Sequence, residues 1–252
     1  MTTNRAAIKT QAKQCIRGTK PSPIIMALIV TVMSYVIFTL SAQLMSPPEL
    51  EAWAMANLQE ALESGQLETW DDAFLFFSEM EMIVQNRVGF GANILNVALS
   101  LILLILNVGY IIFSLNAVRH LPVCYGNLLD GFGIFFRVIL LEVLTGIFVF
   151  LWGLLFFVPG IIAAYRYRQA LYLLLDHPDW TASRCIKESK VLMQGRKMEL
   201  FVLDLSFLGW TLLASIPLVN LWVIPYKELT YAGYYNAISG HTCSEWEEPF
   251  FA

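Results

Sequence analysis

Hydrophobic and polar positions in this chain separate into long blocks. Apolar runs occupy about 23–44, 91–115, 133–158, 160–175, 200–219 and 220–239, and the charged residues crowd between them. At a rise of about 1.5 Å per residue, some 20 apolar residues span the roughly 30 Å hydrocarbon core of a bilayer. The pattern predicts an all-α polytopic membrane protein with about six transmembrane helices; five crossings plus a C-terminal interfacial helix is the alternative. The first three runs are long and clean. The fourth and sixth are shorter and more polar; the fourth begins at Pro159 and the sixth holds Pro225. Pro159-Gly160 predicts a tight reversal at a membrane face, because proline lacks the amide a helix interior needs. Pro217 and Asn220 predict a break or turn at the end of the fifth run.

The corresponding layout is a basic cytoplasmic tail (1–22), a first transmembrane helix (23–45), an extracytoplasmic acidic segment (46–88), a transmembrane bundle (89–240) carrying a cytoplasmic amphipathic helix at 180–195, and a cytoplasmic tail (241–252). A cleaved signal peptide is the competing reading of the N-terminus, with "LSAQ" as its cleavage site. Its apolar core of about 20 residues exceeds the roughly 7–15 of a secretory signal and favours a retained span.

Composition agrees. The chain is 57% hydrophobic and 14% charged, with mean hydropathy +0.60, against about 25% charged in soluble domains. Its net charge of −4 is segregated, and nucleic acid is not an expected partner. Lys and Arg set orientation. Five basic residues precede the first run, and Arg184, Lys187, Lys190, Arg196 and Lys197 lie between the fourth and fifth; Arg119 and Arg137 flank the connection between the second and third. Placing these inside predicts a plasma-membrane protein with both termini cytoplasmic and only Arg87 and Lys227 outside. Cys15, Cys124, Cys185 and Cys243 then face the reducing side as unpaired, non-catalytic thiols.

The external segment holds nine acids before its first base, Arg87. Two short amphipathic helices are expected there, the second capped by Thr69 or Asp71, lying on the outer leaflet or docking an exported partner. The internal segment "DWTASRCIKESKVLMQG" predicts a helix capped by Thr181 or Ser183 and ended by Gly195, its basic side against anionic lipid.

Residues 134–176 and 200–240 resemble two copies of one helical hairpin. Tyr165 and Tyr231 each lie six residues past a proline, and Glu142 and Asp204 occupy corresponding places before them. Both copies run the same way through the membrane, unlike the inverted repeats common in transporters.

The stretches "FFVPGIIAAYRYRQALYLLLD", "LDLSFLGW" and "LWVIPYKELTYAGYYNA", with "IKTQAKQCIRG" and "NLLDGF" earlier, resemble the bacterial integral membrane protein family catalogued as domain of unknown function 975. The resemblance runs over nearly the whole chain. It implies a helical membrane protein and brings no catalytic residues, cofactor or metal. Arg166 and Arg168 depart from the family's usual pattern, which is less charged there.

Those two arginines are the candidate ligand or ion-pair residues, together with Glu142, Asp204 and Arg137. Arginine at mid-membrane costs at least about 2.5–3.5 kcal/mol on insertion scales and needs a partner or a cavity. Two residues apart on a helix, the pair points in nearly opposite directions. Glu142 and Asp204 are expected to pair with Arg137, Arg196 and Lys197 near the inner face. His120, His177 and His241 are isolated, and no nucleophile–base constellation or phosphate-binding loop is present. The leading functional expectation is a non-enzymatic adaptor or chaperone for another membrane or exported protein, with membrane lipids around it. The alternative is a small transporter or lipid- or anion-binding protein, marked by a polar cavity joining the arginines to Glu142 or Asp204. An enzyme acting on lipid is the third.

Overall fold

The computed structural model describes residues 4–67, 69–213 and 217–240. Glu68, His241, Cys243 and the tail 241–252 lie outside the described residues. Among the described residues the chain is helical throughout, in two compact units: Val32–Leu104, and the residues up to Thr31 together with those from Ile105 onward.

The order is α1 (Arg5–Gly18), α2 (Pro23–Met45), α3 (Pro48–Glu63), α4 (Trp70–Arg87), α5 (Phe90–Val118), α6 (Asn127–Asp130), a 3-10 turn (Gly131–Ile134), α7 (Phe135–Leu155), α8 (Phe157–Tyr167), α9 (Ala170–Asp176), α10 (Ala182–Leu192), α11 (Lys197–Leu205), α12 (Leu208–Leu213) and α13 (Pro217–Ser239). Among the described residues, three helical stretches are long and apolar enough to cross a membrane: Pro23–Met45, Phe90–Val118 and Asn127–Leu155. They carry the first three runs. The later runs are broken: α8 stops at Tyr167 and resumes as α9 at Ala170, and α11 stops at Leu205 before α12 begins at Leu208.

The smaller unit contains α3 and α4. Thr69 caps α4 in a reciprocal box, its hydroxyl accepting from the Asp72 amide at 3.2 Å while its own amide donates to the Asp72 carboxylate at 3.1 Å. Asp71 and Asp72 in the first turn suit the positive end of the helix dipole.

In the larger unit, Met26, Ala27 and Val30 of α2 pack on Tyr110 and Phe113 of α5 and on Leu128. The α7–α8 hairpin turns at Phe156, whose extended backbone (φ −159°, ψ 146°) separates the two helices. The expected reversal at Pro159-Gly160 is therefore corrected. Pro159 sits in the first turn of α8, where a missing amide costs nothing. Gly160 lets α8 approach α7, since a Cβ there would lie 2.8 Å from the Cα of Gly153. Pro225 is likewise not a start but an interior residue of α13.

The basic N-terminal tail forms a helix docked along α13. Its buried stripe Ile8, Ala12, Cys15 and Ile16 repeats at helical spacing. The apolar face of α10 (Ala182, Cys185, Ile186, Ser189) is buried against α7, α8 and α9. Protein covers that face, and Arg184 and Lys187 on the other side stay exposed. Thr181 caps α10, and Gly195 (φ 76°) closes the turn after it.

Candidate functional site

Two charged clusters hold the larger unit together. At the end of α5, Arg119 forks onto Asp176 at the end of α9: Nη1 to Oδ1 at 2.8 Å and Nη2 to Oδ2 at 2.9 Å. Its Nε donates to Asn236 at 3.2 Å, and the Tyr235 hydroxyl donates to Asp176 at 2.5 Å. The side chains of this ion pair are 1% and 0% exposed. Sequence reasoning used Arg119 only for orientation and overlooked Asp176, which sits in "LLLDHPD" as an unremarkable helix end.

The second cluster centres on Asp204 of α11. Tyr165 donates to one carboxylate oxygen at 2.8 Å and Tyr231 to the other at 2.6 Å. Arg168 pairs with it at 2.8 Å and lies over the Tyr231 ring at 4.7 Å. The two tyrosines related by the internal repeat thus converge on one carboxylate, although the prolines they were counted from occupy different places in their helices. The Arg168 and Asp204 side chains are 38% and 22% exposed.

Beside this cluster lies a cavity of about 390 Å³, lined by Glu142 and Thr145 of α7, Arg168 and Gln169 at the α8–α9 break, Tyr172 of α9, and Lys227, Glu228 and Tyr231 of α13. Two cations and two carboxylates thus line the same cavity. Gln169 is 2% exposed; its side-chain oxygen and the Thr145 hydroxyl are buried without a hydrogen-bond partner among the described residues. Buried polar groups normally find partners, so both remain available to a bound molecule. Tyr172 also stacks on Tyr235 at 4.9 Å, linking the cavity wall to the Arg119 cluster.

The candidate residues therefore divide. Arg168 and Asp204 form an ion pair, and Glu142 joins Arg168 around the cavity. Arg166 and Arg137 form no ion pair with a described residue and do not line the cavity. The carbonyl of Arg166, left over at the end of α8, accepts from Ser189 of α10 at 2.8 Å. The expected inner-face pairing of Asp204 with Arg137, Arg196 or Lys197 does not form; Arg196 instead donates to the Ile238 carbonyl at 3.0 Å. Lys227 lies within α13. Gln169, Lys227 and Glu228 were missed, although Lys227, Glu228 and Tyr231 at i, i+1 and i+4 in an apolar helix were a readable signal.

Burial raises the Cys15 and Cys185 thiols above their usual range. Both stay protonated and poorly nucleophilic at neutral pH. Cys124 is exposed.

Residues 154–242 match the family model described as "Protein of unknown function (DUF975)". The matched stretch begins in the last turn of α7 and contains Arg168, Asp204, Lys227, Glu228 and both converging tyrosines; Glu142 and Thr145 lie ahead of it. No curated protein and no solved structure matches the chain.

Proposed function

We propose that the protein is a multi-pass protein of the bacterial plasma membrane whose cavity binds a small zwitterionic solute, as a small transporter or solute-binding membrane protein does. The cavity carries this reading. Glu142, Glu228 and the free Gln169 oxygen are acceptors for an ammonium, while Arg168 and Lys227 supply donors for a carboxylate or phosphate. An adaptor needs no such polar chamber between helices.

In this reading both termini are cytoplasmic, and residues 157–176, at 1.5 Å per residue, cover about 30 Å, enough for a fourth crossing. The basic α1 lies along α13, which keeps α13 at the cytoplasmic face. A helix interrupted at membrane depth is tolerated where the break lines a cavity, and the α8–α9 break does so. The basic segments also meet at one end: Gln11 donates to the Val118 carbonyl, Arg119 holds Asp176, and Arg196 reaches Ile238. With Lys227 inside a helix, Arg87 is the one base assigned to the outside, which sharpens the charge bias. An impermeant maleimide should label an S64C variant in intact cells and exposed Cys124 only after lysis; labelling of Cys124 in intact cells would reverse the orientation. Buried Cys185 cannot report on sidedness.

The solute reading is tested by thermal unfolding of the purified protein with a panel of α-amino acids, against sodium acetate and ammonium chloride. A ligand at 100 times its Kd stabilises by about 2.7 kcal/mol. Stabilisation by zwitterions, lost in E142Q and in K227Q, is expected. Equal responses of wild type and both variants would end the proposal.

A second reading, docking of an exported partner on the external segment, draws on the exposed stripe Trp70, Phe74 and Phe77 of α4. A photo-crosslinker at Phe74 that captures lipid alone would dismiss it.

A further inference from the structure

The N-terminal helix carries a second feature, independent of the cavity. Arg5, Lys9, Lys13 and Arg17 recur every fourth residue, so α1 presents four cations in a single stripe, and its 14 residues contain no acid. Like charges at i, i+4 destabilise a helix. Among the described residues none of the four has an ion-pair partner. Lys9 donates to the Ser206 hydroxyl at 2.7 Å and sits over the Phe207 ring at 4.7 Å; Lys13 lies over Tyr226 at 5.7 Å. Burial, then repulsion from Lys13 and Arg5, lowers the Lys9 ammonium below its usual range. Among the described residues the stripe thus concentrates positive charge with no acid paired to it.

Along this stripe runs a recess of about 410 Å³, walled by Thr10, Lys13, Gln14, Ile16 and Arg17 of α1 and by Trp210 and Trp222. The two indoles stand 5.3 Å apart, tilted by 48°. One wall supplies charge and hydrogen-bond donors; the other supplies the amphipathic rings that favour the head-group level of a bilayer. Its position fits: residues 19–22 alone separate α1 from the membrane-crossing α2, a link of at most about 14 Å.

We propose that this recess binds an anionic phospholipid, its phosphate between Lys13 and Arg17 and its glycerol and upper acyl region against Trp210 and Trp222. A bare inorganic anion would satisfy the cations and leave the indoles uncovered. The lipid would tie α1, α12 and α13 together at the membrane face.

The test uses the full-length protein in a neutral detergent, titrated with short-chain phosphatidylglycerol or phosphatidylcholine and followed by thermal unfolding and by native mass spectrometry for bound lipid. Phosphatidylglycerol should stabilise and remain bound; phosphatidylcholine should not. K13Q/R17Q should weaken the half-saturating concentration about thirtyfold, from the loss of two cations worth about 1 kcal/mol each near an anionic head group. K13R/R17K should restore it. K187Q, an exposed charge removed from α10, should change nothing. The proposal is overturned by equal responses to the two lipids, by an unchanged K13Q/R17Q titration, by an equal loss in K187Q, or by inorganic phosphate at matched concentration reproducing the shift.

Discussion

The Arg119–Asp176 and Arg168–Asp204 pairs use the same chemistry in different surroundings. Each joins an arginine to an aspartate at 2.8 Å, and in each a tyrosine of α13 donates to the carboxylate. The first pair is sealed; the second is 38% and 22% exposed and borders the cavity. A sealed pair reports on architecture, since the guanidinium fork, Asn236 and Tyr235 saturate the charges and leave no room for another molecule. An open pair keeps an arginine face available. Arg168 spends one nitrogen on Asp204 and still lines the chamber that Glu142, Lys227 and Glu228 share with it. The pair most worth perturbing for stability is therefore not the pair most worth perturbing for binding.

The largest expected effect tests the sealed side. Removing one partner of a buried pair leaves an uncompensated charge and costs about 3–5 kcal/mol. R119A should therefore lose most of its folded yield in detergent, and R119M/D176L should recover a large part, because replacing both charges with apolar groups removes the penalty. If R119A unfolds at the wild-type temperature, the cluster does not hold the larger unit together.

Next comes D204A, which strands the Tyr165 and Tyr231 hydroxyls and Arg168 together. Protein encloses this cluster less tightly, so the loss should be smaller, about 1–3 kcal/mol. D204N should recover part of it, because the amide oxygen still accepts one tyrosine hydrogen bond. A loss in D204A equal to that in R119A would show that the two clusters are equally sealed and erase the contrast.

These differences bear on what the chain disclosed in advance. The long apolar runs made Pro23–Met45, Phe90–Val118 and the α7 stretch legible, because length and hydropathy are properties of a contiguous segment. Local capping chemistry was legible for the same reason at Thr69, Thr181 and Gly195. The pairing of charges was not. Arg119 and Asp176 are 57 residues apart and Arg168 and Asp204 are 36 apart. Which of two helical neighbours such as Arg166 and Arg168 meets a carboxylate depends on how α8 is rotated against α11. That rotation follows from packing, including the Gly153–Gly160 approach, rather than from period alone. The reversal at Phe156 was misplaced because proline was taken as a breaker, whereas in a first helical turn it is a starter. The docking of α1 was readable in the Ile8, Ala12, Cys15 and Ile16 spacing, but the basic charge drew attention to orientation instead.

The smallest effects sharpen the comparison most, because one deletion can be made in both places. Tyr235→Phe and Tyr231→Phe each remove a single hydroxyl from a helix-α13 tyrosine that donates to an aspartate. At Asp176 no solvent is available to replace the lost donor, so the carboxylate bears the desolvation penalty of an unmet bond, about 1–3 kcal/mol. At Asp204 the cavity side admits water, Tyr165 and Arg168 remain, and the change should fall near the net value of an ordinary hydrogen bond, about 0.5–1.5 kcal/mol. Salt separates them further. Exposed ion pairs are screened over about 10 Å at 0.1 M ionic strength while buried ones are screened much less. Raising salt should weaken the contribution of Arg168–Asp204, measured as the difference between wild type and R168Q, and leave that of Arg119–Asp176 unchanged. Thermal unfolding of the two phenylalanine variants, and of R168Q and R119Q against wild type, at low and high salt is the measurement. Equal losses with equal salt dependence would mean that solvent does not distinguish the clusters, and the assignment of one to architecture and the other to the binding wall would fall with it.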